Sequence, residues 1–351
     1  MSERKRRTRR DFIRGKFAAD AEIFNWSEAA AADEAFFLRV ERDAMASHFE
    51  VRMNLGQYES GTEAAIDALD VVNDIEEQLS FFLSDSEISR INRDAAAEPV
   101  VLDDDLFELI ESAVRFYEET DRSFDITATP LWELWGFAMR EARIPTDDEI
   151  DRALQSVGSN HIELDREDRT IRFTDPSSRI NLGGIGKGYA IDRVADRLLV
   201  AGIDNYLIHG GASSVAARGA QSVLREGWIV GIAHPTRESK RLAEIRLVDQ
   251  ALATSGGRHQ SFMHRGRRLS HIIDPRSGRP AEGTLAVTVA APNATTADVL
   301  STAFFVLGPD RALEYCDTHP ELSVIIVLAG SGGRELEILQ SGFDESTFRI
   351  L

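Results

Sequence analysis

The sequence predicts an α+β or mixed α/β fold, with mixed sheets and flanking helices. Three observations carry that expectation. Helical and strand periodicities are interleaved along the chain, as in mixed architectures. The last third reads strand, helix, helix, strand in "TLAVTVAAP", "TTADVLSTAFFVLG", a segment around Cys316, and "LSVIIVLAG". With 351 residues and 43% hydrophobic content, the chain can bury a sizeable core. No short-period repeat and no low-complexity linker interrupts it.

Residues 1–38 read as a tail, basic and then acidic, ahead of a domain spanning 39–351. Arg9-Arg10, with Phe12 and Ile13 close behind, resembles a twin-arginine export signature. Such a signal needs an apolar core, yet "AADAEIFNWSEAAAADEAFF" is mixed and acidic. A disordered basic tail and a cytoplasmic location are therefore favoured over a diverged signal and export.

The elements follow in order. "FLRVERDAMASHFEVRMNL" alternates as a strand does. "GTEAAIDALDVVNDIEEQLS" sets Ile66, Leu69, Val72, Ile75 and Leu79 at helical spacing. "SDSE" offers a capping box, Ser84 with Glu87, for a short helix through Asn92. "DDDLFELIESAVRFYEETD" is a helix with carboxylates at its positive end. "TDDEIDRALQSVG" starts on a Thr146–Glu149 box and stops at Gly158. "HIELD" and "TIRFTD" suggest a hairpin, and "RINL" leads into a glycine loop. A helix then runs from Lys187 to Val200, ending near Gly202. "NYLIHGG", "SSVAARG" and "WIVGIAH" read as strands, and "RLAEIRLVDQALATSG" as further extended chain.

Charge and cysteine usage exclude several classes. A net charge of −19 argues against general affinity for nucleic acid or anionic membrane. A lone cysteine, Cys316, rules out an intrachain disulfide framework and reads as a helix packing residue. No apolar run approaches the roughly 20 residues of a membrane span. The basic residues are nearly all arginine; the lysines are Lys5, Lys16, Lys187 and Lys240. Lys187, a compact point charge among glycines, stands out.

Four stretches carry polar residues that packing does not request. In "SFDITATPLWELWGF", Asp125 stands beside threonines and ahead of Trp132 and Trp135. That suits a site wall that hydrogen-bonds polar edges and stacks on a ring, or equally an N-cap with an aromatic cluster. "INLGGIGKGYAID" places glycine N–H groups and Lys187 where an anion could approach. It lacks the Walker spacing, and a tight turn with a solvated lysine is its plainer reading. In the arginine-rich "GRRLSHIIDPRSGRPAEG", "LSHII" reads as a short strand and "DPRSG" as a turn. His271 could serve as a general base, with Asp274 orienting it or holding a ligand hydroxyl; the bland alternative is a structural histidine. In "TTADVLSTAFF", Asp298 and Thr302 share a helical face. Their oxygens suit hard Mg²⁺, or else the helix's own dipole and backbone.

Taken in order, these stretches resemble the ApbE family, the FAD:protein FMN transferases. The residues concerned are "RDAMASHFEV", "LSFFLSDSEISRIN", "FDITATPLWELWGF", "INLGGIGKGYAIDR", "YLIHGGASSVAARG", "WIVGIAHP", "ATSGGRHQSF", "HIIDPRSGRP" and "ADVLSTAFFVLG". The resemblance runs from about Val40 to Gly308. It implies Mg²⁺-dependent transfer of FMN from FAD to a Thr or Ser of an acceptor protein bearing a flavinylation motif, with release of AMP. By similarity, flavin-nucleotide contacts fall on Met45, Phe82, Ser123, Phe124, Asp125, Asn181, Lys187 and Ile272. Metal ligands fall on Gly184 and Ser301 through carbonyls, and on Asp298 and Thr302 through side chains. His271 falls at the base, with Lys187 and Asp274 as further catalytic candidates. The family's usual Met-Gly-Thr is Met45-Ala46-Ser47 here. Asn181 and Ala212 each stand where aspartate is usual, Phe82 stands for a tyrosine, and the lipobox cysteine is absent. Two other readings stay open: hydrolysis of FAD to FMN and AMP, and non-catalytic FAD storage.

Overall fold

The computed structural model describes residues 36–139, 141, 143–222, 226–237, 240–257, 261–330 and 335–351. The expected tail thus lies outside the described residues up to its last three, and so does His259.

The first alternating stretch is two strands, not one. β1 (Phe37–Ala44) and β2 (Ser47–Asn54) pair antiparallel across Met45 and Ala46, whose φ values are 53° and 50°. Two left-handed residues form a type I′ hairpin turn. Neither is the Gly or Asn that marks such a turn, so alternation ran through it unbroken. α1 (Gly61–Leu79) buries Ala65, Ala68, Leu69, Val72, Ile75 and Leu79. Ile66 is instead 41% exposed, because the small Ala65 and Ala68 hold the contact face there.

α2 (Glu87–Asp94) is capped by Ser86, which accepts from the Ser89 N–H, so the expected Ser84 box is two residues out of register. β3 (Val100–Val101) and α3 (Asp104–Glu119) follow, with Asp103 capping α3 through the Leu106 N–H. After α4 (Thr129–Leu134), α5 (Asp147–Leu154) starts on the expected Thr146–Glu149 capping box. β4 (Ile162–Asp165) and β5 (Thr170–Phe173) form the expected hairpin.

α6 (Gly186–Val200) leads to β6 (Tyr206–Gly210), β7 (Ser214–Arg218) and β8 (Trp228–Ala233). β9 (Arg241–Leu247) and β10 (Gln250–Gly256) follow, then β11 (Ser261–His264) and β12 (Arg267–Ser270). "LSHII" is therefore split: β12 ends at Ser270, and β13 (Ile273–Asp274) pairs with β14 (Arg279–Pro280). β15 (Thr284–Ala291), α7 (Ala294–Leu307), α8 (Pro309–Thr318), β16 (Ser323–Ala329), β17 (Leu336–Ser341) and β18 (Phe348–Ile350) complete the chain.

An eight-stranded sheet, ordered β1-β2-β6-β7-β10-β15-β16-β17, is antiparallel at each pairing. Since alternate side chains point to opposite faces, it presents two apolar surfaces. Phe49, Val51, Ile208, Val289 and Ile326 face the helical layer that includes α1, α6 and α7. Leu207, Val215, Leu252 and Ile325 pack against Trp228, Val230 and Ile245 of a second sheet, ordered β18-β9-β8. A smaller cluster joins Leu131 and Trp135 to Ile150, Leu269 and Ile273. Cys316 is buried in the main core, in the packing role expected of it. Among the described residues no helix is long and apolar enough to cross a membrane.

Candidate active site

A cavity of about 630 Å³ opens where the β1–β2 turn, the segment before α4, the start of α6, the end of β10, the link from β12 to β13 and the face of α7 converge. That volume lies within the range of small-molecule sites. Of the residues singled out in the sequence, Met45, Phe82, Ser123, Phe124, Asp125, Asn181, Gly184, Lys187, His271, Ile272, Asp298 and Thr302 line it. Asp274 and Ser301 do not.

One wall is polar and incompletely satisfied. Asp125 Oδ1 accepts from the Thr127 N–H at 2.9 Å, the Thr127 hydroxyl at 2.7 Å and the Ser159 hydroxyl at 2.8 Å. Its Oδ2 is buried with no partner among the described residues, as are Ser123 Oγ and Thr129 Oγ1. Burial raises the Asp125 pKa above the usual carboxylate range, against the opposing pull of those hydrogen bonds. Orphaned buried polar atoms are uncommon in folded proteins, and here three lie within one short cavity-lining segment. Above them Phe82, 69% exposed, meets Trp132 edge-on with centroids 6.2 Å apart, an aromatic edge against which a planar ligand can rest. Trp135, the other half of the aromatic pair, is instead buried, and its Nε1–H donates to Gly278 O at 2.8 Å.

Three N–H groups of the glycine loop are engaged within the chain. The Gly183 N–H donates to Asn181 Oδ1, the Gly186 N–H to Leu182 O and the Gly188 N–H to Asp298 Oδ2. These donors serve the fold. The glycines at 184 and 188 answer to close packing: a Cβ on Gly188 would stand 2.3 Å from Ala294 O, and one on Gly184 3.1 Å from the Phe124 ring. Asn181 in place of aspartate still supplies the oxygen that the Gly183 N–H requires. Lys187, in the first turn of α6, is left as the cation lining this side of the cavity.

The oxygen cluster on α7 is tightly organised. Asp298, 5% exposed, accepts from the Gly188 N–H at 3.0 Å and from the Ser214 hydroxyl at 3.2 Å. The Ser255 hydroxyl bridges the hydroxyls of Ser301 at 2.9 Å and Thr302 at 3.0 Å. A carboxylate among hydroxyls and carbonyls is the donor set of a hard divalent cation, so the residues present fit Mg²⁺. Sequence reasoning passed over Ser214, Ser255 and Asp192. The signal for the serines was a small polar residue at the start of β7 and near the end of β10. Asp192 anchors α7 from α6, accepting from the Ala294 and Thr295 N–H groups at 2.8 Å each. A second grouping, Glu41, His48 and Glu50, brings potential ligand atoms within 4.8 Å of one another. His48 Nδ1 is engaged by Asp43 at 2.8 Å, and Glu50 by Arg52, so it reads as an ion-pair lattice.

His271 follows β12 directly and lies 6.4 Å from the Phe137 ring, centroid to centroid. The Asp274 carboxylate holds Arg276 at 2.8 and 3.1 Å, while its carbonyl accepts from the Gly278 N–H at 2.8 Å. Asp274 therefore stitches the turn, whose Gly278 has φ 68°. His271 sits between the two short strands β12 and β13.

Comparison with known proteins adds to this geometry. The family model described as "ApbE family" matches residues 45–326. The FAD:protein FMN transferase of Haemophilus influenzae is 30% identical, over 88% of this chain and 91% of its own. That of Vibrio cholerae is 32% identical, over 76% of this chain and 79% of its own. Among solved structures, the ApbE protein of Thermotoga maritima superposes with a TM-score of 0.77 at 30% identity, covering 87% of this chain and 97% of that one. The flavin transferase ApbE of Vibrio cholerae gives 0.75 at 27% identity, covering 88% and 97%.

Proposed function

The chain belongs to the ApbE family, and from that premise we propose that it transfers FMN from FAD to a Thr or Ser hydroxyl of an acceptor protein, releasing AMP. The observation that carries the reading is a single cavity that combines His271, Lys187 and Asp298 with a wall of unpartnered polar oxygens. The three groups match the parts that phosphoryl transfer needs: a proton acceptor, positive charge near the phosphates, and a metal ligand.

In this reading the flavin ring rests against Phe82 and Trp132, and its polar edge meets Ser123, Asp125 and Thr129. The pyrophosphate lies towards Lys187, whose ammonium offsets charge on the leaving phosphate. His271 takes the proton of the acceptor hydroxyl as that oxygen bonds to the FMN phosphorus. The pyrophosphate P–O bond breaks, and AMP departs with the electron pair. Asp298 and Thr302, with carbonyls of Gly184 and Ser301, would hold Mg²⁺, which when bound supplies positive charge at the pyrophosphate. The Asp274–Arg276 pair keeps the turn beyond His271 in place.

Incubation with FAD, Mg²⁺ and a domain bearing a flavinylation motif tests the proposal. Covalent flavin fluorescence on the acceptor, matched by released AMP, is the expected result. Free FMN and AMP without labelling would replace transfer with hydrolysis, and tight FAD binding without either product would indicate storage.

A further inference from the structure

Arg265, Arg267 and Arg268 concentrate positive charge on one hairpin of a chain whose net charge is −19, and no step of FMN transfer uses them. β11 and β12 pair from Ser261↔Ser270 to His264↔Arg267, which leaves Arg265 and Gly266 as a two-residue turn with φ 48° and 79°. Such a turn favours Asn or Asp before Gly. An arginine here accepts left-handed strain that its fold does not require.

Between this hairpin and β14 lies a groove of about 430 Å³. Trp135, Leu269 and Pro280 give it an apolar floor; Arg265, Arg267 and Arg279 outnumber one acid, Glu282, on its rim, where His264 also lies. The rim is poorly neutralised. Arg267 reaches Glu282 only at 3.8 Å with both side chains exposed, and Arg265 has no ion pair among the described residues. Arg279 is held by Asp147 at 2.7 Å.

The groove is tied to the reaction centre. Phe262 of the hairpin and His271 both meet the Phe137 ring, at 5.5 and 6.4 Å. Arg267 is four residues from His271, so the chain allows no more than about 14 Å between them. Residues flanking a hydroxyl delivered to His271 are within reach of this rim.

We propose that the groove docks an acidic segment of the acceptor protein, adjacent to the hydroxyl that receives FMN. The proposal rests on the transfer reading. An excess of carboxylates, 59 against 40 Lys and Arg, gives the molecule a negative field that repels such a segment in general. A local cationic rim corrects that and fixes the orientation of approach. The apolar floor suits a peptide, and a small phosphate ligand would have no use for it.

Fluorescence anisotropy tests this with two fluorescein-labelled peptides. In one a run of Asp and Glu precedes a single Thr; in the other Asn and Gln replace the acids. At low salt the protein is expected to bind the acidic peptide about tenfold tighter, and added salt should erase the preference. The double variant Arg265→Glu, Arg267→Glu should abolish it. Arg265→Asn, which the turn accepts readily, should weaken it without risk to folding. Equal binding of both peptides, a preference retained in the double variant, or displacement by inorganic pyrophosphate would each overturn the docking surface. FMN attachment is followed in the same samples with FAD and Mg²⁺. Charge-dependent binding without attachment would uphold docking and defeat the transfer reading; attachment indifferent to charge would do the reverse.

Discussion

Asp125 shows at the scale of one residue how the site stores its demand for a ligand. Three hydrogen bonds hold Oδ1 while Oδ2 is buried without a partner among the described residues. Because burial raises its pKa in the folded state, the folded protein binds more protons than the unfolded chain between about pH 4 and that raised value. Stability therefore falls as pH rises through the window and stays lower above it. Asp125→Asn is expected to raise Tm at pH 7 by about 1–3 °C while weakening FAD binding, with the gain gone below about pH 4. Calorimetry measures both effects, and an unchanged affinity would remove Asp125 from the ligand wall. Asp298→Asn keeps an oxygen for the Gly188 N–H, while its amide NH2 faces the Ser214 hydroxyl, which can turn to accept. It should raise the Mg²⁺ needed for half-maximal activity by about tenfold or more, a rescue that titration reveals. An unaltered Mg²⁺ dependence would show the carboxylate to be structural. His271, Lys187 and Asp298 were legible as candidates from residue type and motif order. The pairing of Asp274 with Arg276 was not, since a spacing of three residues from His271 says nothing of which charge claims the carboxylate.

Among the elements, α6 and α7 were readable as helices, yet their closeness was not. The contact depends on Gly188, where a Cβ would stand 2.3 Å from Ala294 O. Gly188→Ala is expected to force the helices apart, costing about 1–3 kcal/mol and disturbing Asp298. Tm and Mg²⁺ activation should fall together; loss of stability with normal activation would separate the packing from the site. The strand β6 carries a second cost. His209, across from Glu50 in register, has a buried Nε2 with no partner among the described residues. Burial, aided by Arg52, lowers its pKa to about 4. Between about pH 6.5 and 4 the unfolded chain therefore binds a proton that the folded protein refuses. Stability should drop across that window by about 1–3 kcal/mol, and His209→Gln should flatten the drop in a series of thermal melts. A parallel profile in the variant would place the acid sensitivity elsewhere. Neither feature shows in hydropathy, which reports which face is buried and not what meets it.

The whole molecule is an antiparallel sheet between a helical layer and a smaller sheet, with the cavity where separate segments meet. Helical spacing revealed α1, and terminal signals such as the Thr146–Glu149 box revealed α5. Local pattern could not reveal that β2 pairs with β6, more than a hundred residues away, since such pairing is decided by packing. It also missed the β1–β2 turn and the short β13, β14 and β18, which carry little pattern of their own. The motifs anticipated the cavity better than the periodicities anticipated the topology, because chemistry restricts residue type more tightly than packing does. The most direct test compares the wild-type protein with His271→Ala for FAD affinity and for single-turnover FMN transfer to an acceptor domain, across pH. FAD affinity is expected to change little, while transfer slows by roughly 10²–10⁴-fold. Near-normal transfer by His271→Ala, with the loss appearing instead in His264→Ala or His259→Ala, would contradict the account.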